Sequence, residues 1–326
     1  MTVSDPLLEV TRLRTEVVQR RRSVPLVRDV SFTVTAGETV AVVGESGSGK
    51  SMAMLSLMGL LPPNIRVTAG SATFDGVELL DGDGSALRDR RGRELAMVYQ
   101  SPLHSLNPVM RIGDQIAEAV TAHGGSRAQG LSRARDALGE VGIPRPDRAM
   151  RAYPHQLSGG MRQRVVIAMA LVNDIRLLIA DEPTTALDVT IQQQIVALVT
   201  RLQRERDLAV VWITHDLGLV ARIARRVLVM YAGRIVEQAE VHTLFRAPRH
   251  PYAASLVASI PTGSTAADGP LAQIPGTPPE PSAPPPGCAF APRCPQVIMR
   301  CHEVRPQLEG PPGHLAACHV PREEWT

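Results

Sequence analysis

The sequence predicts an α/β protein built around a parallel sheet, and three observations predict it. An apolar run at 39–43 passes through a glycine-rich loop into an apolar, helix-like stretch at 52–61. Residues 176–231 alternate short apolar runs with helical patterns, the rhythm of strand–helix units. Between these, residues 111–175 are helical in pattern throughout, so a helical subdomain is inserted ahead of the strand at 177–182. A chain of 326 residues, 44% of them hydrophobic, has ample material for one large domain and an appendage.

The elements follow in order. Residues 5–43 read as short β segments with a turn at 35–37, and β character continues over 68–99 around the turn at 81–84. The loop after the 39–43 strand is Gly44, Glu45, Ser46, Gly47, Ser48, Gly49, Lys50 and Ser51, which matches G-x-x-x-x-G-K-[ST]. Strand before and helix after are the context this phosphate-binding motif requires. Its glycines let the backbone wrap phosphates, Lys50 is placed to reach the β- and γ-phosphates, and the Ser51 hydroxyl is placed to ligate Mg²⁺.

Three further strands end in polar residues. The apolar run 177–180 ends in Asp181 and Glu182. In a parallel sheet such an end faces the nucleotide, with Asp181 suited to Mg²⁺ and Glu182 to polarising the attacking water. Gln100 follows the run 95–99, and His215 follows 210–214. An amide there can sense Mg²⁺ or water, and a histidine can hydrogen-bond the γ-phosphate.

A second anion-binding helix start lies at Leu157, Ser158, Gly159, Gly160, Met161, Arg162, Gln163 and Arg164. A serine and a glycine pair opening an apolar helix leave backbone N–H groups aimed outward at the positive end of the helix dipole. Gly233 marks a turn between strands at 227–231 and 234–236.

Past residue 245 the composition changes. Residues 250–260 can form one short helix. Seven of the twelve residues from 275 to 286 are proline, which predicts an extended, semi-rigid strap. Cys288, Cys294, Cys301 and Cys318 crowd the end of the chain among glycines and prolines. In a reducing compartment a metal is the stronger expectation than disulfides. Four thiolates can hold a 4Fe–4S cluster or Zn²⁺. No C-x₂₋₄-C pair is present, although His302, His314 and His319 are near enough in sequence to join a mixed zinc site.

Composition narrows the classes of function. A formal net charge of +3 and 3% aromatic residues give no nucleic-acid signal. The longest apolar run, at 52–61, is far short of a membrane span. Residues 1–10 do not read as a secretory leader. The expectation is a soluble, cytosolic chain that meets a membrane through a partner.

Taken together, these motifs resemble the ATPase subunits of ATP-binding-cassette (ABC) transporters. The resemblance covers about residues 5–245. It includes the Walker A loop 44–51, the Q-loop Gln100, the signature 157–164 and the Walker B strand with Asp181 and Glu182. It also includes the D-loop Ala186, Leu187 and Asp188, and the H-loop His215. It implies a P-loop NTPase of ABC type: an N-terminal antiparallel β subdomain, a helical subdomain at about 101–175, and a small irregular Cys-rich C-terminal domain. The boundaries are 1–245 and 246–326. It also implies a head-to-tail dimer in which Leu157, Ser158, Gly159, Gly160, Met161 and Gln163 serve the partner's ATP, while residues 44–51, with Met52, hold the chain's own. Catalysis falls to Glu182, His215 and Gln100, and Mg²⁺ to Ser51, Gln100 and Asp181. Residues 100–108 would meet a permease.

Residues 99–116, His250-Pro251-Tyr252, the proline-rich segment and the cysteines look like the oligopeptide/dipeptide importer ATPases, a pattern that nickel importers share. This narrower resemblance implies a 4Fe–4S cluster on the four cysteines, with Zn²⁺ as the alternative. It also implies a paralogous ATPase partner, two membrane permease subunits and an extracytoplasmic solute-binding protein. The chain would sit at the cytoplasmic face of the cell membrane. A non-transport ABC ATPase acting on nucleic acid through a C-terminal zinc site is the alternative of another class. One departure stands out: the family stacks adenine on an aromatic residue, and this chain has none before Phe32. Val17 occupies the aligned position, beside the basic run Arg20, Arg21 and Arg22, so weaker adenine binding or selectivity is expected.

Overall fold

A computed structural model describes residues 5–19, 22–185, 187–260 and 273–325. In chain order the elements begin with β1 (Leu8–Gln19), β2 (Arg22–Val34), β3 (Thr39–Val43), α1 (Lys50–Leu57), β4 (Ile65–Phe74), β5 (Val77–Glu78), α2 (Ser85–Arg90) and β6 (Leu95–Val98). The helices α3 (Pro102–Ser105), α4 (Ile112–Thr121), α5 (Arg127–Glu140), α6 (Pro146–Arg151) and α7 (Gly159–Leu171) follow. Then come β7 (Leu177–Asp181), α8 (Val189–Arg206), β8 (Ala209–Ile213), α9 (Leu217–Ile223), β9 (Arg226–Tyr231) and β10 (Arg234–Glu240). The chain closes with α10 (Val241–Arg246), α11 (Pro251–Ala258), α12 (Met299–Glu303) and β11 (His314–Ala316). None of the helices among the described residues is long and apolar enough to cross a membrane.

The chain forms two compact units. One comprises residues 1–34, 39–80 and 213–326; the other comprises 35–38 and 81–212. The first contains a four-stranded antiparallel sheet in the order β2-β1-β4-β5. Its strands alternate apolar and polar residues, and Leu8, Val10, Leu13, Val27, Val30, Phe32 and Val34 are buried. The same unit holds β11-β10-β9-β3, with β3 parallel to β9. Both of these inner strands are almost wholly buried runs of branched apolar residues, as expected of a sheet covered on both faces. Tyr231 from β9, Tyr252 from α11 and Phe290 form one aromatic cluster, with centroids 4.6–5.4 Å apart. They belong to a core with Ala41, Val43, Val227 and Val229. The last strand, β11, pairs antiparallel with β10.

The second unit holds β8, β7 and β6 side by side, with β6 parallel to β7, together with the helices α2 to α8. Its helix starts are capped by the residues that physical chemistry favours. Ser126 and Gln129 form a reciprocal capping box on α5, and Asp188 accepts from the Ile191 N–H to cap α8. Residues 68–99, read as β in character, also contain the helix α2. The Asp83–Gly84 turn causes this: Asp83 accepts from the Ser85 N–H at 2.8 Å and starts a helix instead of a hairpin.

Candidate functional site

In the first unit, the loop between β3 and α1 has the shape of a phosphate cradle. Gly44 has φ of 150°, and a Cβ there would lie 2.2 Å from the Met230 carbonyl oxygen. Gly49 has φ of 98°, and its Cβ would lie 2.9 Å from the Leu26 oxygen. Only glycine permits these turns at this closeness. Helix α1 opens at Gly49 with no side-chain cap and no acidic residue in its first turn, which leaves its amide end suited to an anion. Lys50 is buried, and its Nζ donates to the Gly44 oxygen at 2.7 Å and the Glu45 oxygen at 2.9 Å.

Sequence reading did not anticipate how this loop is held. The Glu45 N–H donates to the Tyr252 hydroxyl at 2.8 Å. The Glu45 carboxylate takes a two-pronged ion pair from Arg293, at 2.7 and 2.9 Å. Arg293 also donates to the Tyr231 hydroxyl at 3.2 Å, to Pro275 O at 2.8 Å and to Ile274 O at 3.2 Å. All five of its N–H donors are thereby used. Its side chain is 3% exposed. No local signal in the sequence marks a pair 248 positions apart. His250 begins α11 by accepting from the Tyr252 N–H, and burial pushes its imidazole down to about 3. Glu237 is fully buried and accepts from the His250 N–H at 2.7 Å, the Arg249 N–H at 2.9 Å and His314 Nε2 at 2.7 Å.

His215 follows β8 and is exposed. Its backbone is fixed on either side: the Thr214 N–H donates to Val42 O at 3.2 Å, and Asp216 caps α9 through the Leu219 N–H. Val17 is half-buried in β1, paired across to Val24 and Ile65. Arg20 and Arg21 lie outside the described residues, as do Ala186 and residues 261–272.

In the second unit, β7 ends in Asp181, which is buried, and the chain turns sharply at Glu182, which has φ of 44°. A left-handed glutamate is uncommon and is a form of backbone strain associated with functional sites. Glu182 Oε2 accepts from Gln100 Nε2 at 2.8 Å and from Thr185 Oγ1 at 3.0 Å. Two strand-end residues singled out from sequence are therefore in direct contact. Thr185 was not singled out, although it lies one turn beyond Glu182. Loop 107–110 is held by Gln115, whose side chain is buried and bonds to Asn107 and Met110.

The segment 157–164 opens α7 as expected of a glycine-rich helix start. Leu157 is buried, Ser158 and Gly159 are exposed, and Gly160 and Met161 are half-buried. Ser158 caps the helix by accepting from the Met161 N–H at 3.3 Å. A Cβ on Gly160 would come within 2.7 Å of Ile191 Cγ2. Gln163 is 1% exposed, and both its amide atoms lack a partner among the described residues.

The structure corrects the metal expectation. Among the described residues, no group of three or more His, Cys, Asp or Glu side chains could hold a metal ion. The four cysteines are free. Burial pushes the Cys288 and Cys318 thiols up and Cys294 up to about 11, so these thiols favour S–H. Cys318 Sγ donates to Val320 O at 3.3 Å. His314 is engaged by Glu237, and His319 by the Val304 carbonyl. Among the described residues, neither a 4Fe–4S cluster nor a Zn²⁺ site is supported.

A glycine-rich phosphate loop on a strand–helix unit, two carboxylates ending another strand, and a second glycine-opened helix define the ABC class of ATPase. Comparison with known proteins agrees. The ABC transporter family model matches residues 27–185, and the model of the oligopeptide/dipeptide transporter C-terminal region matches 236–301. The oligopeptide transport ATP-binding protein OppD of Salmonella typhimurium is 47% identical over 98% of this chain and 95% of its own length. OppD of Escherichia coli is 45% identical, also over 98% and 95%. Among solved structures, the dimeric ATP-binding cassette MJ0796 bound to ADP and Pi superposes with a TM-score of 0.64 at 25% identity, covering 72% of this chain and 98% of that one. The chain belongs to the ABC transporter ATP-binding family, in the group of the oligopeptide transport ATP-binding proteins.

Proposed function

We propose that this chain is the ATP-hydrolysing subunit that drives import of oligopeptides or dipeptides through a pair of membrane permeases. It would work at the cytoplasmic face of the cell membrane, beside a paralogous ATPase and with an extracytoplasmic solute-binding protein delivering the peptide. The N-terminal β subdomain, the inserted helices at about 101–175 and the C-terminal region 246–326 would divide these tasks. Likeness to OppD over both the cassette and the C-terminal region supports peptide over nickel as the solute.

The observation that carries hydrolysis is the setting of Glu182. Its carboxylate is steered by Gln100 and Thr185 while its backbone is held in a strained turn. A carboxylate fixed in this way can orient and polarise water for in-line attack. Residues 44–51 and Met52 would hold the triphosphate, with Lys50 exchanging its carbonyl partners for phosphate oxygens. His215 would steady the γ-phosphate and Val17 would lie against adenine. Ser51, Asp181 and Gln100 offer the hard oxygen donors that Mg²⁺ takes, and these residues would hold it. When bound, the ion neutralises charge on the transferring phosphoryl group. Leu157, Ser158, Gly159, Gly160, Met161 and Gln163 form the segment that would complete the partner's site, with Asp188 at the dimer seam.

Gln100 opens the loop that carries Val109, which is 82% exposed and suits a docking surface for a permease helix. A shift of Gln100 on hydrolysis would then be felt at that loop, and the reverse.

The test is Glu182→Gln in the intact transporter. ATP binding should persist while turnover falls by about 100-fold or more, the range of general-base removal. Peptides should stimulate the wild-type complex, and Ni²⁺ should not. Undiminished turnover in the variant would remove Glu182 from its role, and stimulation by Ni²⁺ alone would replace the solute.

A further inference from the structure

We propose that Arg293 is a positioning residue for ATP, acting through Glu45, so that the C-terminal region is a working part of the phosphate loop. The inference rests on the reading of residues 44–51 as the ATP cradle.

The argument starts from charge. The loop must accept a triphosphate, yet its second residue is a glutamate. An unneutralised carboxylate there would repel phosphates at short range, in a partly buried setting where solvent screens weakly. Arg293 cancels that charge with a two-pronged pair, the strongest and most directional form of carboxylate contact. The guanidinium is itself immobile. Its remaining donors are taken by the Tyr231 hydroxyl, Pro275 O and Ile274 O. Its plane lies near the Tyr231 and Phe290 rings, with centroids at 5.8 and 5.9 Å.

The second effect is on shape. Arg293 holds the Glu45 side chain, and Tyr252 holds the Glu45 N–H. The same stretch of backbone supplies the Gly44 and Glu45 carbonyls that receive Lys50 Nζ. The lysine that reaches for the phosphates is therefore parked on a turn whose position is set by Tyr252 and Arg293, both past residue 245. The extension thus presents a pre-ordered loop to ATP, which lowers the ordering cost of binding.

A double-mutant cycle in the full-length chain, assembled with its transporter partners, decides this. Three variants are compared: Arg293→Met, Glu45→Gln and the two together. Arg293→Met should raise KM for ATP by about 10-fold or more, with kcat changed by less than about 3-fold, because a free carboxylate is then left in the loop that receives the phosphates. Adding Glu45→Gln should bring KM back to within about 3-fold of wild type, since the repelling charge is gone. The KM gap between Arg293→Met and wild type should narrow as salt rises, because the repulsion is screened. Arg293→Lys, which keeps charge without the fork, should fall between wild type and Arg293→Met. Equilibrium binding of a fluorescent ATP analogue gives the same ranking without turnover.

If Arg293 only packs the core, the double variant will be as impaired as Arg293→Met or worse, and the gap will ignore salt. Either result overturns the proposal. If Arg293→Met fails to fold, the double variant and Arg293→Lys still decide it. Loss of ATP binding in the wild type would instead overturn the reading of the cradle itself.

Discussion

The two glycine-rich helix starts of this chain are built in opposite ways. The loop at 44–51 is tied from outside its own segment: Tyr252 and Arg293 hold Glu45, and the Gly233 N–H donates to the Ser48 oxygen. The start at 158–163 is held by local bonds, Ser158 to the Met161 N–H, Ser158 O to the Arg162 N–H and Arg162 to Pro154 O. The first is pre-formed by contacts from elsewhere in the same chain. The second offers exposed Ser158 and Gly159, a surface suited to completion by another subunit. Under the proposed function, one helix start would act within its own subunit and the other would serve the assembly.

The largest expected effect separates them most sharply. Gly159→Asp puts a carboxylate where the partner's phosphates would come. Turnover of the assembled transporter should fall by about 100-fold, the scale of losing oriented transition-state stabilisation. ATP binding by the isolated chain should stay within about 2-fold of wild type. Equal loss of binding would erase the distinction between the two starts.

The next effect is on pH. His250 is held neutral by burial and starts the helix that carries Tyr252. A folded value of about 3, below the ordinary 6.5, gives stability that is full above 6.5 and lost as pH falls toward 3. Between pH 6.5 and 5 the loss should reach about 2 kcal/mol, read from urea midpoints. His250→Asn should flatten that slope. Glu237 works in the opposite sense: burial raises it from 4.5, so its contribution is complete below that value and declines as pH rises. The difference between wild type and His250→Asn isolates the histidine, and an unchanged slope would remove it from the anchoring of the loop.

Smaller effects lie in the helix α7 and at the adenine position. Gln163→Leu replaces a buried, unpartnered amide and should raise stability by about 1 kcal/mol. A drop instead would show that the amide has a partner in the assembled state. Val17→Tyr should tighten ATP binding by about 5-fold and sharpen selection against GTP, the scale of one aromatic contact. No gain would show that the existing wall already serves adenine.

What was legible in the sequence was local. The phosphate loop, the polar residues ending β6, β7 and β8, and the start of α7 are each encoded by a few neighbouring residues whose backbone demands are unambiguous. Gly44 and Gly49 are required where a Cβ would strike carbonyl oxygens. The alternation of apolar runs and helical patterns over 176–231 pointed to a parallel sheet, while the pairing of β6 with β7 and of β3 with β9 came from the structure. The turn at Asp83–Gly84 was less legible, because the same residues serve a hairpin or a helix cap, and only the bond to the Ser85 N–H distinguishes them.

The cysteines mark the other limit. Their number and crowding suggest a metal, but ligation depends on the directions and ionisation of four side chains. Among the described residues the side chains do not come together as a metal-binding group, and burial raises the Cys288, Cys294 and Cys318 thiols. By itself the sequence determined which segments form glycine-rich helix starts and which strand ends carry acid, amide and histidine, because short-range sterics and periodicity fix those features. Only the tertiary structure decided that Gln100 meets Glu182 across 82 positions and that Arg293 meets Glu45 across 248. Such pairs are formed by how strands and tail pack, and the residues flanking each partner carry no trace of the other.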